Sequence, residues 1–130
     1  MIQRLLPIAL LCLACAAIGC ADDGGLKPVT GTVTLDGQPV AGIDVVFIPV
    51  EGGRTNSIAR TNPEGRFRLT YTSQHAGAIP GEYKVLFKQE EPDTGRELLP
   101  ARFSSGGKTT FRATVEEDGD NVFHFEIESK

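Results

Sequence analysis

Residues 29–37 read VTGTVTLDG. Val29, Gly31, Val33 and Leu35 fall on one side of an extended chain and Thr30, Thr32 and Thr34 on the other, because successive side chains of a strand point to opposite faces. Asp36-Gly37 follows, a pair that accepts the positive φ a tight turn demands. The stretch therefore predicts a strand with one apolar and one hydroxyl face, closed by a turn.

Outward from this stretch the period stays near two, which predicts further strands and no helix. Ile43 to Pro49 (IDVVFIP) is apolar on both faces at its centre, as an inner strand is. Ile58 to Thr61 leads into Asn62-Pro63-Glu64-Gly65, where Pro presets φ at the second turn position; the chain returns through Phe67, Leu69 and Tyr71 with Arg66 and Arg68 outward. Gln74 to Gly81 reads as a loop. Beyond it Tyr83, Val85 and Phe87 alternate with Glu82, Lys84 and Lys88. Leu98 to Phe103 reads as a short crossing or edge segment, with Pro92 and Pro100 keeping its surroundings out of a central ladder. Phe111, Ala113 and Val115 are expected to pair with Phe123, Phe125 and Ile127 as a hairpin across the turn Glu116 to Asn121. About seven short strands with turns roughly every 8 to 12 residues predict an antiparallel, Greek-key β-sandwich.

In front of the sandwich stands a different kind of segment. Arg4 opens it, an apolar run from Leu5 to Ile18 follows, and small residues precede Cys20. This is the three-part layout of an export signal. The run is shorter than the roughly 20 apolar residues of a membrane-spanning helix, and Asp22 and Asp23 follow it closely. Three divisions result: 1–19 a signal peptide, 20–27 the start of the mature chain and a tether, 28–130 the sandwich. Removing the first nineteen of 130 residues leaves 111, enough for one modest core. The tether, Ala21 to Lys27, spans at most about 25 Å.

Composition narrows the chemistry. Arg4 is the sole base in the first nineteen of a chain with 13, so 12 remain against 17 acids, a formal charge of −5. The remaining bases are interleaved with acids and threonines, which argues against nucleic acid. The three cysteines, Cys12, Cys15 and Cys20, all precede residue 21. The body of the mature chain is therefore without disulfide, Cys-ligated zinc or Cys nucleophile.

Two resemblances rest on these residues. Ala17-Ile18-Gly19-Cys20 resembles the lipobox of bacterial lipoproteins, which implies cleavage between Gly19 and Cys20, an S-diacylglyceryl group on Cys20 and N-acylation (palmitate) of its new amine. Several chains, at about 0.8 kcal/mol per buried CH₂, make such attachment stable. Cys15, after Leu13-Ala14, is the competing site, and an ordinary unlipidated cleavage nearby is the third option. Further on, TGTVTLDGQPVAGIDVVFIP, ARTNPEGRFRLTY, GAIPGEYKV, LPARFSS and FRATVEEDGDNVFHFEI follow one another along residues 29–128. Together they resemble the carboxypeptidase-regulatory-like, or transthyretin-like, domain of small bacterial lipoproteins. That family commonly has tyrosine where Phe103 stands, which implies a packing role for the position. Its motifs specify turns rather than chemistry.

Candidate catalytic and metal sets are thin. No zinc peptidase domain fits within 111 residues, and the C-terminal Tyr-Arg-Gly-Ser of transthyretin-like hydrolases is replaced by Glu126-Ile127-Glu128-Ser129-Lys130. Tyr71, Tyr83, His75 and His124 match in number the two tyrosines and two histidines that hold ferric iron in sandwich-fold dioxygenases, but both tyrosines are in phase with inward residues and His124 faces outward. Glu116, Glu117, Asp118, Asp120 and Asn121 offer oxygens for Ca²⁺ without EF-hand spacing. Arg54 to Asn56 and Ser104 to Lys108 lack the strand-to-helix setting of a phosphate loop. His75 has no serine elbow near it.

The expectation is a non-enzymatic binding or structural module with no catalytic residue, metal or cofactor. It is held on a membrane of the bacterial envelope through Cys20, outside the cytoplasm, with the outer of two membranes preferred. An envelope protein or glycan is its partner, by edge-strand addition or through loops. The alternative is a small iron- or calcium-dependent enzyme on the same scaffold.

Overall fold

The computed structural model of the chain describes residues 25–52 and 55–130. The expected signal segment and Gly19–Cys20 cleavage site, with Cys15 and Arg54, lie outside the described residues. Ten strands and one helical turn follow in order: β1 Val29–Leu35, β2 Gln38–Pro39, β3 Asp44–Pro49, β4 Ser57–Arg60, β5 Arg66–Arg68, β6 Thr70–Thr72, β7 His75–Ala76, β8 Gly81–Lys88, α1 Ala101–Ser104, β9 Arg112–Val115 and β10 Asn121–Ile127. The fold is all-β, in two sheets.

The smaller sheet is built around β1, with β10 on one side and β2 and β5 on the other. Val29 and Val33 are fully buried, and the threonines between them face out. Asp36 and Gly37 have φ of 50° and 82° and form a two-residue loop, since Thr34 pairs with Pro39 and Leu35 with Gln38. Positive φ at both loop residues matches the right-handed twist of the strands they join.

The larger sheet runs β7-β6-β4-β3-β8-β9. As expected, β3 is an inner strand, paired on both edges. Residues 66–72 change sheets midway: β5 pairs with β1, and β6 with β4. Leu69, between them, donates its N–H to Val29 and accepts from Gly77 N–H, so the corner leaves its backbone satisfied.

Between the sheets lies an aromatic core. Phe125 of the smaller sheet packs against Phe47 and Phe87 of the larger, with ring centroids 6.2 and 5.3 Å apart, and stacks on Phe67 at 6.2 Å. Tyr83 is buried too, and its hydroxyl donates to the carbonyl of Ile79 at 2.5 Å, which closes the corner before β8.

Three expectations change. Residues 111–115 and 123–127 are not a hairpin: β9 pairs with β8, and β10 runs parallel to β1 from Val29↔Asn121 to Leu35↔Ile127. The segment Glu116 to Asp120 crosses from sheet to sheet, closed by Asn121, whose Oδ1 accepts from Glu116 N–H at 2.8 Å while its Nδ2 donates to the Glu116 carbonyl at 3.0 Å. Both strands turn their apolar sides to one core from opposite sheets, so alternation alone cannot tell the two layouts apart. The sandwich is accordingly not wholly antiparallel, and the described residues form ten strands, some of two residues, rather than about seven. Finally, Ala101–Ser104 is a helical turn after Pro100, and it buries Phe103 under the Arg102 guanidinium, 4.5 Å from the ring centre. Phe103 is buried, the packing role that the resemblance implied for it.

Candidate functional site

The outer face of the larger sheet is laid out by register. Arg60, Asp44 and Lys88 stand side by side on β4, β3 and β8; below them come Thr70, Ile58, Val46 and Leu86. Arg68, at the sheet-changing corner, and Glu90, just past β8, complete the walls of an open depression of about 610 Å³. Ile58 is 54% exposed on its floor. A smaller depression of about 250 Å³ adjoins it and shares Asp44, Arg60 and Glu90.

One of its cations is fixed. Arg60 donates from Nε to Asp44 Oδ1 at 2.7 Å and from Nη2 to Oδ2 at 3.2 Å. The carboxylate holds the guanidinium above its ordinary pKa, with Glu90 adding to the effect. Both groups remain in solvent, so the pair orders the wall more than it stabilises the fold. Arg68 and Lys88 make no ion pair among the described residues. An exposed branched apolar side chain between unpaired cations suits a ligand with an apolar body and a carboxylate or phosphate.

Sequence reasoning placed Ile58 and Lys88 on strands but did not bring them together. Nothing in the spacing of residues 44, 58, 68 and 88 states that β3 lies between β4 and β8. Only the both-sides-apolar stretch 43–49 hinted that this strand sits mid-sheet.

The iron set does not converge. Tyr83 is committed to the Ile79 carbonyl in the core, and Tyr71 is half-buried on β6. His75 stands exposed at the larger sheet's edge beside Thr72, whereas His124 is on the smaller sheet. Around the crossing, Asn121 spends its amide on the Glu116 backbone. Among the described residues no group of three or more His, Cys, Asp and Glu is placed to hold a metal ion.

An unforeseen arrangement appears on the smaller sheet. Parallel pairing sets His124 beside Thr32, with Thr32 Oγ1 2.5 Å from His124 Nδ1 and Glu126 Oε1 3.4 Å from Nε2. On the far side Thr32 faces Arg66 across the ladder. Hydroxyl, imidazole and carboxylate are the parts of a hydrolytic triad. Here they lie on an open sheet face, with the His124 and Glu126 side chains 54% and 79% exposed. Water competes for every bond at that exposure.

No protein-family model matches the chain. No curated protein matches it either. Among solved structures it is similar to a 9R-lipoxygenase from Cyanothece PCC8801, at 13% identity and a TM-score of 0.40, over 82% of this chain and 17% of that one. A likeness of that size carries no argument about fold or activity.

Proposed function

We propose that the chain is a bacterial lipoprotein, anchored through N-acyl-S-diacylglyceryl-Cys20, whose carboxypeptidase-regulatory-like sandwich is a non-enzymatic binding module of the cell envelope. Its binding surface is the depression over β3, β4 and β8. The anchor is supported by the apolar run 5–18 ending in Ala17-Ile18-Gly19-Cys20. The observation that carries the binding role is Ile58, more than half exposed at mid-sheet between Arg68 and Lys88. An apolar side chain held there gains nothing from water, and a partner covering about 100 Å² of it would gain roughly 2.5 kcal/mol.

The test is photo-cross-linking in intact cells with a photoreactive side chain at position 58, and a second at position 114 on the same face as control. A discrete product from position 58, lost in Arg68→Glu/Lys88→Glu and in Cys20→Ala, supports the reading. No product, or one equally strong from position 114, contradicts it.

The Thr32–His124–Glu126 row favours a second reading, an esterase-like activity. Ester hydrolysis abolished by both Thr32→Val and His124→Gln would put it first.

A further inference from the structure

Most edges of the two sheets are blunted. The larger sheet ends in β7, two residues long, and in β9, four residues long. On one side of β1 the smaller sheet ends in the two residues of β2, one of them Pro39, and the three of β5. Short strands and proline are usual guards against pairing with another chain. β10 has neither guard. It runs for seven residues without proline, glycine or a break in register, and among the described residues it is paired with β1 alone.

The ladder decides which backbone groups the free edge presents. The Ile127 carbonyl accepts from Asp36 N–H at 2.9 Å, and the Phe123 carbonyl oxygen lies against Gly31 of β1. Backbone groups along a strand point to alternate sides, so those of Val122, His124 and Glu126 point away from β1. Each of these residues offers one donor and one acceptor to whatever lies beside it. Next to this edge the core is incompletely closed. Phe123 lies against Phe47 of the larger sheet and stacks on Phe125, with ring centroids 5.8 and 6.0 Å apart, yet it is only half-buried. On the outer face Val122 is 67% exposed.

We propose that a second copy of this chain pairs antiparallel along β10, joining the two smaller sheets into one across a two-fold axis at Phe125. Two identical edges meeting in this way form a closed, isologous dimer. Charge selects the register, because like groups directly opposite each other destabilise a sheet. An axis at His124 would set imidazole against imidazole, and one at Glu126 would set carboxylate against carboxylate. An axis at Phe125 sets His124 opposite Glu126 of the second copy, and Glu126 opposite its His124. Phe123 then comes opposite Ile127 of the second copy, which covers the half-open ring. The dimer needs neither acylation of Cys20 nor the depression, whose lining includes no residue of β10.

The test is made on the full chain in detergent. Its protein mass, measured by light scattering with the detergent subtracted, should be that of two chains and should fall to one in His124→Pro. Proline there removes an outward N–H, a loss that an edge strand bears, and an unchanged circular dichroism spectrum checks that the sandwich is intact. Register is read by oxidation. Directly opposed residues bring their Cα atoms within reach of a disulfide, and an offset of two positions takes them out of it. Chains with His124→Cys mixed with chains with Glu126→Cys should therefore cross-link. Either variant alone should cross-link no more than the parent, which controls for Cys12, Cys15 and Cys20. A one-chain mass in the parent overturns the dimer, as does a two-chain mass that persists in folded His124→Pro. A mixture that cross-links no better than the parent, or no better than one variant alone, overturns the β10 pairing too. Where proline unfolds the strand, the mixed cross-link decides.

Discussion

Gly31→Ala removes nothing and adds one methyl group, yet it should be among the most costly single changes in the chain. A Cβ at residue 31 would lie 2.4 Å from the carbonyl oxygen of Phe123 and 2.5 Å from Cζ of Phe67. Carbon needs about 3.5 Å from such neighbours, so each must retreat by roughly 1 Å. Neither is free to do so: Phe123 belongs to β10, paired with β1 over seven positions, and the Phe67 ring is stacked on Phe125. Overpacking of this kind costs up to about 3 kcal/mol. Lower backbone entropy of alanine in the unfolded chain returns about 0.4–1 kcal/mol. The net loss is therefore about 2 kcal/mol, and a domain of this size should melt about 10 °C lower. Gly52→Ala is the control, since nothing lies within 4 Å of its added Cβ and its φ is not positive. It should melt at or slightly above the parent temperature. Thermal unfolding of both by circular dichroism decides the matter. A Gly31→Ala protein that melts with the parent would refute the close parallel approach of β10 to β1.

Other changes probe other joints. Tyr83→Phe takes the donor from the Ile79 carbonyl while keeping the ring, and should cost about 1 kcal/mol in urea unfolding at an unchanged m-value. Asn121→Ala frees the Glu116 backbone on both sides and should cost about 1–3 kcal/mol, more than Asp120→Ala beside it. Asp36 accepts from the hydroxyl and N–H of Ser129, and these bonds hold its carboxyl below the usual range. Because the folded pKa is the lower one, its stabilisation is present above the ordinary carboxylate value and is lost as pH falls through the folded value. Asp36→Asn, which keeps a residue tolerant of positive φ, should melt lower than the parent at pH 7, and the gap should close with acid.

What the sequence discloses is the side on which each residue lies, and what it withholds is the neighbour. The alternation through Val29 to Leu35, Tyr83 to Phe87 and Phe123 to Ile127 follows from a core that takes one face of each strand, and burial agrees with it except at Leu86, which is buried although it lies on the outer face. Asp36-Gly37 and Asn62 to Gly65 are turns because local dihedral preference decides them; Asn62 Oδ1 accepts from Glu64 and Arg66 N–H as the turn residues require. The parallel β1–β10 pairing has no local signature, being set by which strands fill the gap beside β1 once the chain has collapsed. Both the depression around Ile58 and the Thr32–His124 contact depend on such pairings, so neither was legible. The packing of Phe103 was implied by the resemblance alone, and its helical turn was not legible because a single turn is too short to set up a period.

The anchor is tested most directly by the intact mass of the protein isolated from membranes with detergent. Acylation at Cys20 predicts a chain beginning at residue 20, heavier than its amino acids by a diacylglyceryl group and an N-linked acyl chain, with that mass lost in Cys20→Ala. An unmodified chain starting elsewhere, or the acyl mass on Cys15, would contradict it.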